Sequence, residues 1–342
     1  MRTGTAWFSG RDAALYSALL SVVAVLFVAS LAIGRYHVPV RETTRILASR
    51  IVPLERTWTP QMENVVMRVR LPRLAGALLV GGALALAGAA YQGVFRNPLV
   101  SPDLLGVSSG ACVGASAAIL MHWGALAVQV SAFAMGLVSV AVASSIPGFF
   151  RNNTTPMLVL SGVIVSGFMT SLQGLLKYFA DPLDELPSII YWAMGSLGSV
   201  KAGEIKIVGL VIAAIMGVLV MIRWRINLLA LGDSEARSLG VNVKRLRSVI
   251  VLCATLMTAG AVCVSGTIGW IGLVVPHLGR IVAGHDNKRL IPVSILLGAA
   301  FTILVDTCAR NLTGSEIPLS ILTGVIGTPM FVWLLFAQKT TV

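Results

Sequence analysis

Two charged residues stand four apart near the end of an apolar run, Asp306 and Arg310. A carboxylate inside a membrane is costly alone, and a cation one helical turn away is its natural partner. The spacing predicts a structural ion pair, with the alternative that Arg310 also serves a docking partner. A lone His277 follows Pro276 in another apolar run, where a proton relay is the chemical alternative to packing. Since no second histidine or carboxylate stands at helical spacing from it, we expect a packed or flank-facing side chain.

Motifs for other chemistries are missing from the sequence. It contains no G-x-x-x-x-G-K-[ST] phosphate loop, no H-E-x-x-H and no C-x-x-C. Paired carboxylates within apolar runs, the usual mark of proton- or sodium-coupled transport, are absent as well. A transport function would therefore take its energy from another subunit, or from none.

The segment from Gly232 to Gly240 is a short polar stretch between two long apolar runs. Asp233 and Ser234 are residue types that cap a helix start through a side-chain oxygen. Gly240 suits the left-handed conformation that ends a helix. The pattern predicts a capped helix of about two turns in a loop. In a membrane protein, such a rigid element is suited to transmitting force to a partner.

The composition places these elements in a membrane. Of the 342 residues, 56% are hydrophobic and 12% are charged, with a mean hydropathy of +0.86, whereas soluble domains carry about 25% charged residues. The net charge of +12 reflects Lys and Arg at membrane flanks, because no basic patch interleaved with aromatic residues suggests nucleic-acid binding. We therefore predict an all-α, polytopic membrane protein.

Ten apolar segments are long enough, or nearly so, to cross a bilayer as helices. They cover approximately 13–34, 72–93, 103–121, 124–147, 157–178, 204–223, 247–265, 268–283, 290–310 and 320–337. The even count puts both termini on the same side, and we expect one transmembrane domain over 1–342. The balance of Lys and Arg between the two sides is nearly even and leaves the orientation open.

Three further patterns concern the connections. Gly106, Gly110 and Gly114 are spaced four apart and predict a groove that receives another helix backbone, with a substrate role as the alternative. Asn97-Pro98-Leu99 predicts a tight turn, with a pore constriction as its functional alternative. Tyr191 and Trp192, in the longer connection 179–203, are typical of an interfacial helix lying along the membrane surface.

Several short blocks, in order along nearly the whole chain, carry a family resemblance. They are Arg70-Leu71-Pro72-Arg73, Asn97-Pro98-Leu99 with Leu105-Gly106, Tyr191-Trp192-Ala193-Met194-Gly195, Ala230-Leu231-Gly232-Asp233 through Leu239-Gly240, Gly272-Leu273 with Pro276-His277 and Arg280, Asp306 with Arg310, Ile317-Pro318, and Gly327-Thr328-Pro329-Met330-Phe331. With these blocks the chain resembles the permease subunits of type II ABC importers, the FecCD/BtuC family that takes up ferric siderophores, haem and cobalamin.

The resemblance implies a BtuC-like permease of ten helices in the inner (cytoplasmic) membrane, with both termini cytoplasmic. It implies a homodimer, or occasionally a heterodimer, whose pathway lies on the dimer axis. It also implies two copies of an ABC ATPase subunit, each bound through the loop between helices six and seven. The matching coupling residues are Gly232, Asp233, Ser234, Glu235, Ala236, Arg237, Leu239 and Gly240. No cofactor, metal or catalytic residue is implied.

The resemblance also assigns residues at the two faces of the membrane. A substrate-binding protein, periplasmic or lipid-anchored, is expected to place acidic side chains on Arg70, Arg73 and Arg310. The inner gate matches Asn97 and Leu99 after helix two, together with Thr154 and Thr155 at the start of helix five, where Pro156 departs from the family pattern.

The sequence thus favours a permease subunit of an ATP-driven importer that moves an iron chelate, haem or a cobamide inward and is not itself an enzyme. The alternative substrate is an oxyanion such as molybdate. The alternative function is a secondary transporter or channel independent of ATP. The polar loop helix, together with the absence of coupling carboxylates, favours the importer.

Overall fold

The computed structural model of the chain describes residues 10–150 and 154–339, so the predicted domain limits at 1 and 342 lie outside the described residues. The described residues form an all-helical bundle. Its helices are α1 (Gly10–Ala32), α2 (Val40–Ala48), α3 (Pro60–Asn64), α4 (Leu71–Phe95), α5 (Val107–Leu120), α6 (Ala125–Phe149), α7 (Thr155–Phe179), α8 (Glu185–Met194), α9 (Ala202–Leu231), α10 (Asp233–Ser238), α11 (Val243–Ser265), α12 (Ile271–Ala283), α13 (Asn287–Asn311) and α14 (Leu319–Lys339).

Each of the ten predicted apolar segments coincides with one of these helices. Seven helices of the described chain are long and apolar enough to cross a membrane, which confirms a multi-pass membrane protein. The other three apolar helices, Val107–Leu120, Ile271–Ala283 and Leu319–Leu334, are shorter. The exact number of ten crossings therefore stays a prediction.

Helix α4 forms the centre of the bundle and is buried along most of its length. Its sequence is rich in Gly and Ala, which lets neighbouring backbones approach closely. A side chain at Gly81 would meet the backbone of Gly298 in α13, and one at Gly88 would meet the backbone of Gly272 in α12. The small residues of α4 therefore fix how α12 and α13 pack against it.

Helices α5 and α12 begin inside the bundle. Pro102 lies in a single 3₁₀ turn, Pro102–Leu105, which precedes α5. This proline packs against Gly272 at the start of α12, beside the backbone of Leu84 midway along α4. Because α5 and α12 start at this depth, each crosses only part of the bundle. The third predicted segment began near residue 103, but Gly106, with a φ of 81°, separates this turn from α5.

The predicted glycine groove is present at the start of α5. Side chains added at Gly110 and Gly114 would meet the backbone of Met135 and Ser131 in α6. The spacing of four thus serves helix packing. The interfacial segment is helix α8, and 67% of Tyr191 is exposed; its position at a membrane surface stays a prediction.

Ion pairs and hydrogen bonds collect the connections into two ends of the bundle. One end, here called the coupling end, comprises residues 96–101, 232–242 and 284–286, where Arg96 reaches Asp233 and Asn227 donates to Asp286. The other, here called the arginine end, comprises residues 33–39, 195–201 and 312–318. There Ser196 donates to Glu316.

Candidate functional site

Helix α10 is the short polar helix predicted from the sequence, and its ends are sharply defined. At its C-terminus the amide of Val241 donates to Ala236 O (3.0 Å) and the amide of Gly240 donates to Arg237 O (2.9 Å). This pair of bonds is the Schellman arrangement, and Gly240 has the required left-handed conformation with a φ of 79°. The predicted glycine stop is therefore confirmed.

The predicted side-chain cap at the start of α10 is wrong. Gly232 occupies the capping position with a φ of 131°, and no side chain accepts a bond there. A side chain at Gly232 would also collide with the Glu235 carboxylate, which folds back over it. The Ser234 hydroxyl donates to that carboxylate (2.7 Å), and this bond lowers the pKa of Glu235 below its usual value. Asp233 is engaged elsewhere.

Asp233 joins α10 to two membrane helices. Its carboxylate accepts bonds of 2.9 and 3.1 Å from one guanidinium nitrogen of Arg247 in α11. Arg96, the left-handed residue that ends α4, lies 3.6 Å from the same carboxylate. Ala236, in the middle of α10, is fully buried. The helix is therefore attached at its base to α4 and α11.

Most of the remaining side chains of α10 are exposed. Glu235, Arg237 and Ser238 are exposed, and 60% of Leu239 is exposed. An acid, a base and an apolar side chain thus project from a rigid base. This combination can bind a groove on a partner by burying Leu239 and pairing the two charges.

The predicted gate residues lie in two separate places. The side chain of Asn97 accepts a bond from the amide of Leu99 (2.9 Å), which fixes the turn, and 56% of Leu99 is exposed. Thr154 precedes α7 without a side-chain cap, and Pro156 occupies the first turn of that helix. Among the described residues, no hydrogen bond joins the asparagine turn to the threonines. Their joint role as a gate stays a prediction.

At the arginine end, Arg73 binds two carboxylates from distant parts of the chain. Its Nε donates to Asp306 (2.8 and 3.0 Å), and its two terminal nitrogens donate to Glu316 (3.0 and 2.6 Å). Arg310 also pairs with Asp306 (3.4 Å), so the predicted ion pair exists. Asp306 is fully buried, and its closest cation is Arg73 rather than Arg310.

The other two predicted docking arginines are also engaged within the chain. Arg70 donates to the carbonyls of Leu31, Ala32 and Tyr36 at 2.5–2.9 Å and is only 4% exposed. Arg310 donates to the carbonyl of Ser30 (2.9 Å). In this conformation the three guanidiniums hold the arginine end together. Their role in docking a binding protein stays a prediction.

Glu316 is a functional candidate that the sequence reasoning missed. Burial raises the pKa of its carboxyl, but the bonds from Arg73 and Ser196 outweigh that effect, and the pKa lies below its usual value. Glu316 thereby connects the start of α4 to the segments before α9 and α14. Its position beside Ile317-Pro318, one of the family blocks, was the available signal.

His277 is packed, as the sequence predicted. It is 1% exposed, and its ring meets that of Phe331 edge-on at 6.0 Å. Among the described side chains, neither ring nitrogen has a hydrogen-bond partner. No chain of groups for a proton relay is therefore present around His277 in the described part of the protein.

Comparisons with known proteins agree with this architecture. The sequence model of the FecCD transport family matches residues 22–337. The molybdate import system permease protein MolB of Haemophilus influenzae is 38% identical over 321 residues, covering 94% of both chains. A probable iron chelatin transport system permease of Helicobacter pylori is 43% identical over 277 residues, covering 80% of this chain and 83% of the relative.

A solved structure, described as an inward-facing conformation of a metal-chelate type ABC transporter, has the same fold. It superimposes with a TM-score of 0.84 at 35% identity, covering 94% of this chain and 99% of that chain. The likeness therefore extends over nearly the whole of both chains.

Proposed function

The chain belongs to the FecCD transport family and is an ABC importer permease, and on this premise we propose that it forms the membrane pathway for an iron chelate. Two copies of the chain and two ATPase subunits would form the transporter in the cytoplasmic membrane. Both termini and the coupling end would face the cytoplasm, and the arginine end would face the binding protein. The whole of 1–342 would form one transmembrane domain.

The geometry of α10 is the observation that carries this proposal. A helix with a Schellman stop at Gly240 and a carboxylate bound by Arg247 is stiff. Because Glu235, Arg237 and Leu239 project from it, a partner can hold it. Closure of the ATPase subunits on ATP would displace α10, and the attachments to α4 and α11 would carry this movement into the bundle. The permease itself carries out no chemical step.

The arginine end supports a specific form of docking. A carboxylate from the binding protein would replace Glu316 on Arg73, or share that guanidinium with it. Because Glu316 also binds Ser196, its release would free the segment before α9. Docking at Arg70 and Arg310 would likewise compete with backbone carbonyls. Substrate delivery would thus be linked to loosening of the arginine end.

The gate is proposed at the coupling end, where two copies of the chain would bring the turn at Asn97 and Leu99 towards Thr154 and Thr155. Exposed Leu99 would close the pathway by apolar contact. The turn is fixed by Asn97, which would keep Leu99 in register.

Two substrate classes have support from relatives. The iron chelatin permease, at 43% identity, supports an iron chelate as the first candidate. The molybdate permease covers 94% of this chain and makes a small oxyanion the second candidate; haem and cobamides remain the other family substrates. Equilibrium binding of ferric siderophore, haem, cobalamin and molybdate to the cognate binding protein decides among them.

Reconstitution tests the function. The chain is incorporated into vesicles with its ATPase and binding protein, and uptake and ATP hydrolysis are measured together. We expect uptake that requires ATP, and its loss in the double variant Glu235→Lys, Leu239→Asp. The control is Met121→Asp, because Met121 is 61% exposed and lies in the connection between α5 and α6. Uptake driven by an ion gradient alone would refute the proposal and support a secondary transporter.

A further inference from the structure

A cavity of about 660 Å³ lies beside α10, between α6, α7 and α11. One face of α11, from Lys244 to Leu256, and one face of α6, from Leu137 to Pro147, line it at helical spacing. The start of α7 also lines it at Thr154 and Thr155, the predicted gate residues. The distance along α11 from Lys244 to Leu256 is about 18 Å.

The cavity is polar at one end and apolar at the other. The end next to α10 is lined by Arg237, Lys244 and Arg247, with Asp233 as its acid. The deeper end is lined by Leu137, Val140, Leu252 and Leu256, among other side chains. Thr255 is also at the deep end, but its hydroxyl is already bonded to Tyr91 (3.0 Å). The deep end therefore requires no polar ligand.

The polar end carries an excess of positive charge. Asp233 is bound to Arg247 and lies near Arg96, so its charge is compensated. Among the described residues, Arg237 and Lys244 have no ion pair. The Nε of Arg247 is buried without an acceptor. Three cationic side chains thus line this end of the cavity, and its acid, Asp233, is already paired with Arg247.

We propose that this cavity binds one anionic phospholipid, with its phosphate on Lys244, Arg237 and Arg247 and part of an acyl chain between α6 and α11. The charge excess selects an anion, because guanidinium and ammonium groups bind phosphate by charge-assisted hydrogen bonds. The apolar end extends along helices that cross the membrane, and 57% of Leu252 is exposed, so the acyl chain can enter from the lipid. Basic pockets between helices on the cytoplasmic side are known to hold such headgroups.

The site would make coupling depend on lipid. Arg237 and Asp233 belong to α10, and the phosphate would join that helix to α11 through a third contact beside the Asp233–Arg247 pair. The dependence of coupling on lipid rests on the proposed function, because it requires the coupling end to face the cytoplasm. Lipid binding itself is measured without transport, so the lipid site and the proposed function can fail separately.

Binding is tested on the full-length chain in neutral detergent by native mass spectrometry. Phosphatidylglycerol is compared with phosphatidylcholine of the same acyl chains, and with glycerol phosphate as the headgroup without chains. We expect one phosphatidylglycerol to be retained per chain, several-fold more strongly than phosphatidylcholine. Lys244→Gln should weaken retention about fivefold, the effect of one cation near an anionic lipid. The matched control is Arg245→Gln, because Arg245 is the exposed neighbour that does not line the cavity.

Ala141→Trp provides a second, independent test at the apolar end. Ala141 lines the cavity and is exposed, so the indole fills the space for the acyl chain while the cations remain. We expect this variant to lose phosphatidylglycerol as well. Equal retention of both lipids, or equal effects of Lys244→Gln and Arg245→Gln, overturns the proposal. Binding of glycerol phosphate as tight as that of the lipid would indicate a soluble-anion site and would overturn the proposal. Displacement of the lipid by the ATPase subunit would overturn it as well.

Discussion

The attachment of α10 to the bundle predicts a ranked effect of two substitutions. Asp233 has two cationic neighbours, and the structure distinguishes them. Arg247 donates two bonds of 2.9 and 3.1 Å, and its side chain is 18% exposed. Arg96 lies at 3.6 Å, beyond hydrogen-bond distance, and its side chain is 45% exposed. We expect Arg247→Gln to loosen α10 far more than Arg96→Gln.

The expected magnitudes follow from these geometries. Hydrogen bonds to a charged group contribute about 1.5–3 kcal/mol. Because a third of the Asp233 side chain is exposed, solvent screening favours the lower figure, about 1.5 kcal/mol, or roughly tenfold in the opening equilibrium. The exposed pair with Arg96 should contribute less than about 1 kcal/mol, under roughly fivefold.

Hydrogen exchange measured by mass spectrometry over residues 233–241 reports this opening directly. We expect protection to fall about tenfold in Arg247→Gln. Arg245→Gln, on α11 beside Arg247 but exposed and without an ion pair among the described residues, is the control and should leave protection unchanged. A double-mutant cycle with Asp233→Asn should show that the two losses are not additive. Equal losses for Arg247→Gln and Arg96→Gln, or additive losses with Asp233→Asn, would refute the reasoning.

Three other predictions concern the rest of the bundle. Asp306→Asn should lower the free energy of unfolding by about 3–5 kcal/mol, because it leaves part of the buried Arg73 charge unpaired; denaturation in detergent measures this. Because the pKa of Glu316 is lowered, its carboxylate contributes fully to the stability of the fold above its usual pKa. That stabilisation is lost as the pH falls through the lowered pKa. Glu316→Gln should therefore flatten the acid side of a thermal stability profile. Gly88→Ala should destabilise by about 1–3 kcal/mol, because its Cβ would meet the backbone of α12. The control Gly217→Ala, in α9 with nothing within 4 Å, should be neutral or stabilising in the same melting assay.

The sequence predicted the helices well because membrane crossings depend on length and hydropathy, which are local properties. It did not predict where α5 and α12 begin. Those starts depend on Pro102 packing against Gly272, a contact between residues far apart in the chain. Hydropathy does not distinguish a helix that crosses the whole bundle from one that starts halfway.

The sequence predicted only the parts of the candidate site that depend on local features. The glycine stop at Gly240 is a local backbone preference, and it was predicted correctly. The cap at Asp233 was not, because that carboxylate is used by Arg247, fourteen residues along the chain. The ion pair of Asp306 with Arg310 was visible from its spacing of four. The stronger partner, Arg73, is 233 residues away and has no local signature.

Helix α4 connects the two groups of residues that we propose bind separate partners. Arg73 lies in its first turn and Arg96 ends it, so the two are separated along the axis by about 35 Å. Between them α4 is buried, and its glycines contact the backbones of α12 and α13. A helix packed this closely can shift between discrete arrangements but cannot deform continuously.

An event at one end of α4 therefore has a defined route to the other. Release of Arg73 from Glu316 would favour one arrangement of α4, and displacement of Asp233 near Arg96 would favour the same or the opposite one. Linkage requires that the effect be reciprocal for binding. If α4 is the shared element, ATPase binding must change binding-protein affinity by the same factor as binding-protein docking changes ATPase affinity, and replacing Arg96 or Glu316 must reduce that factor.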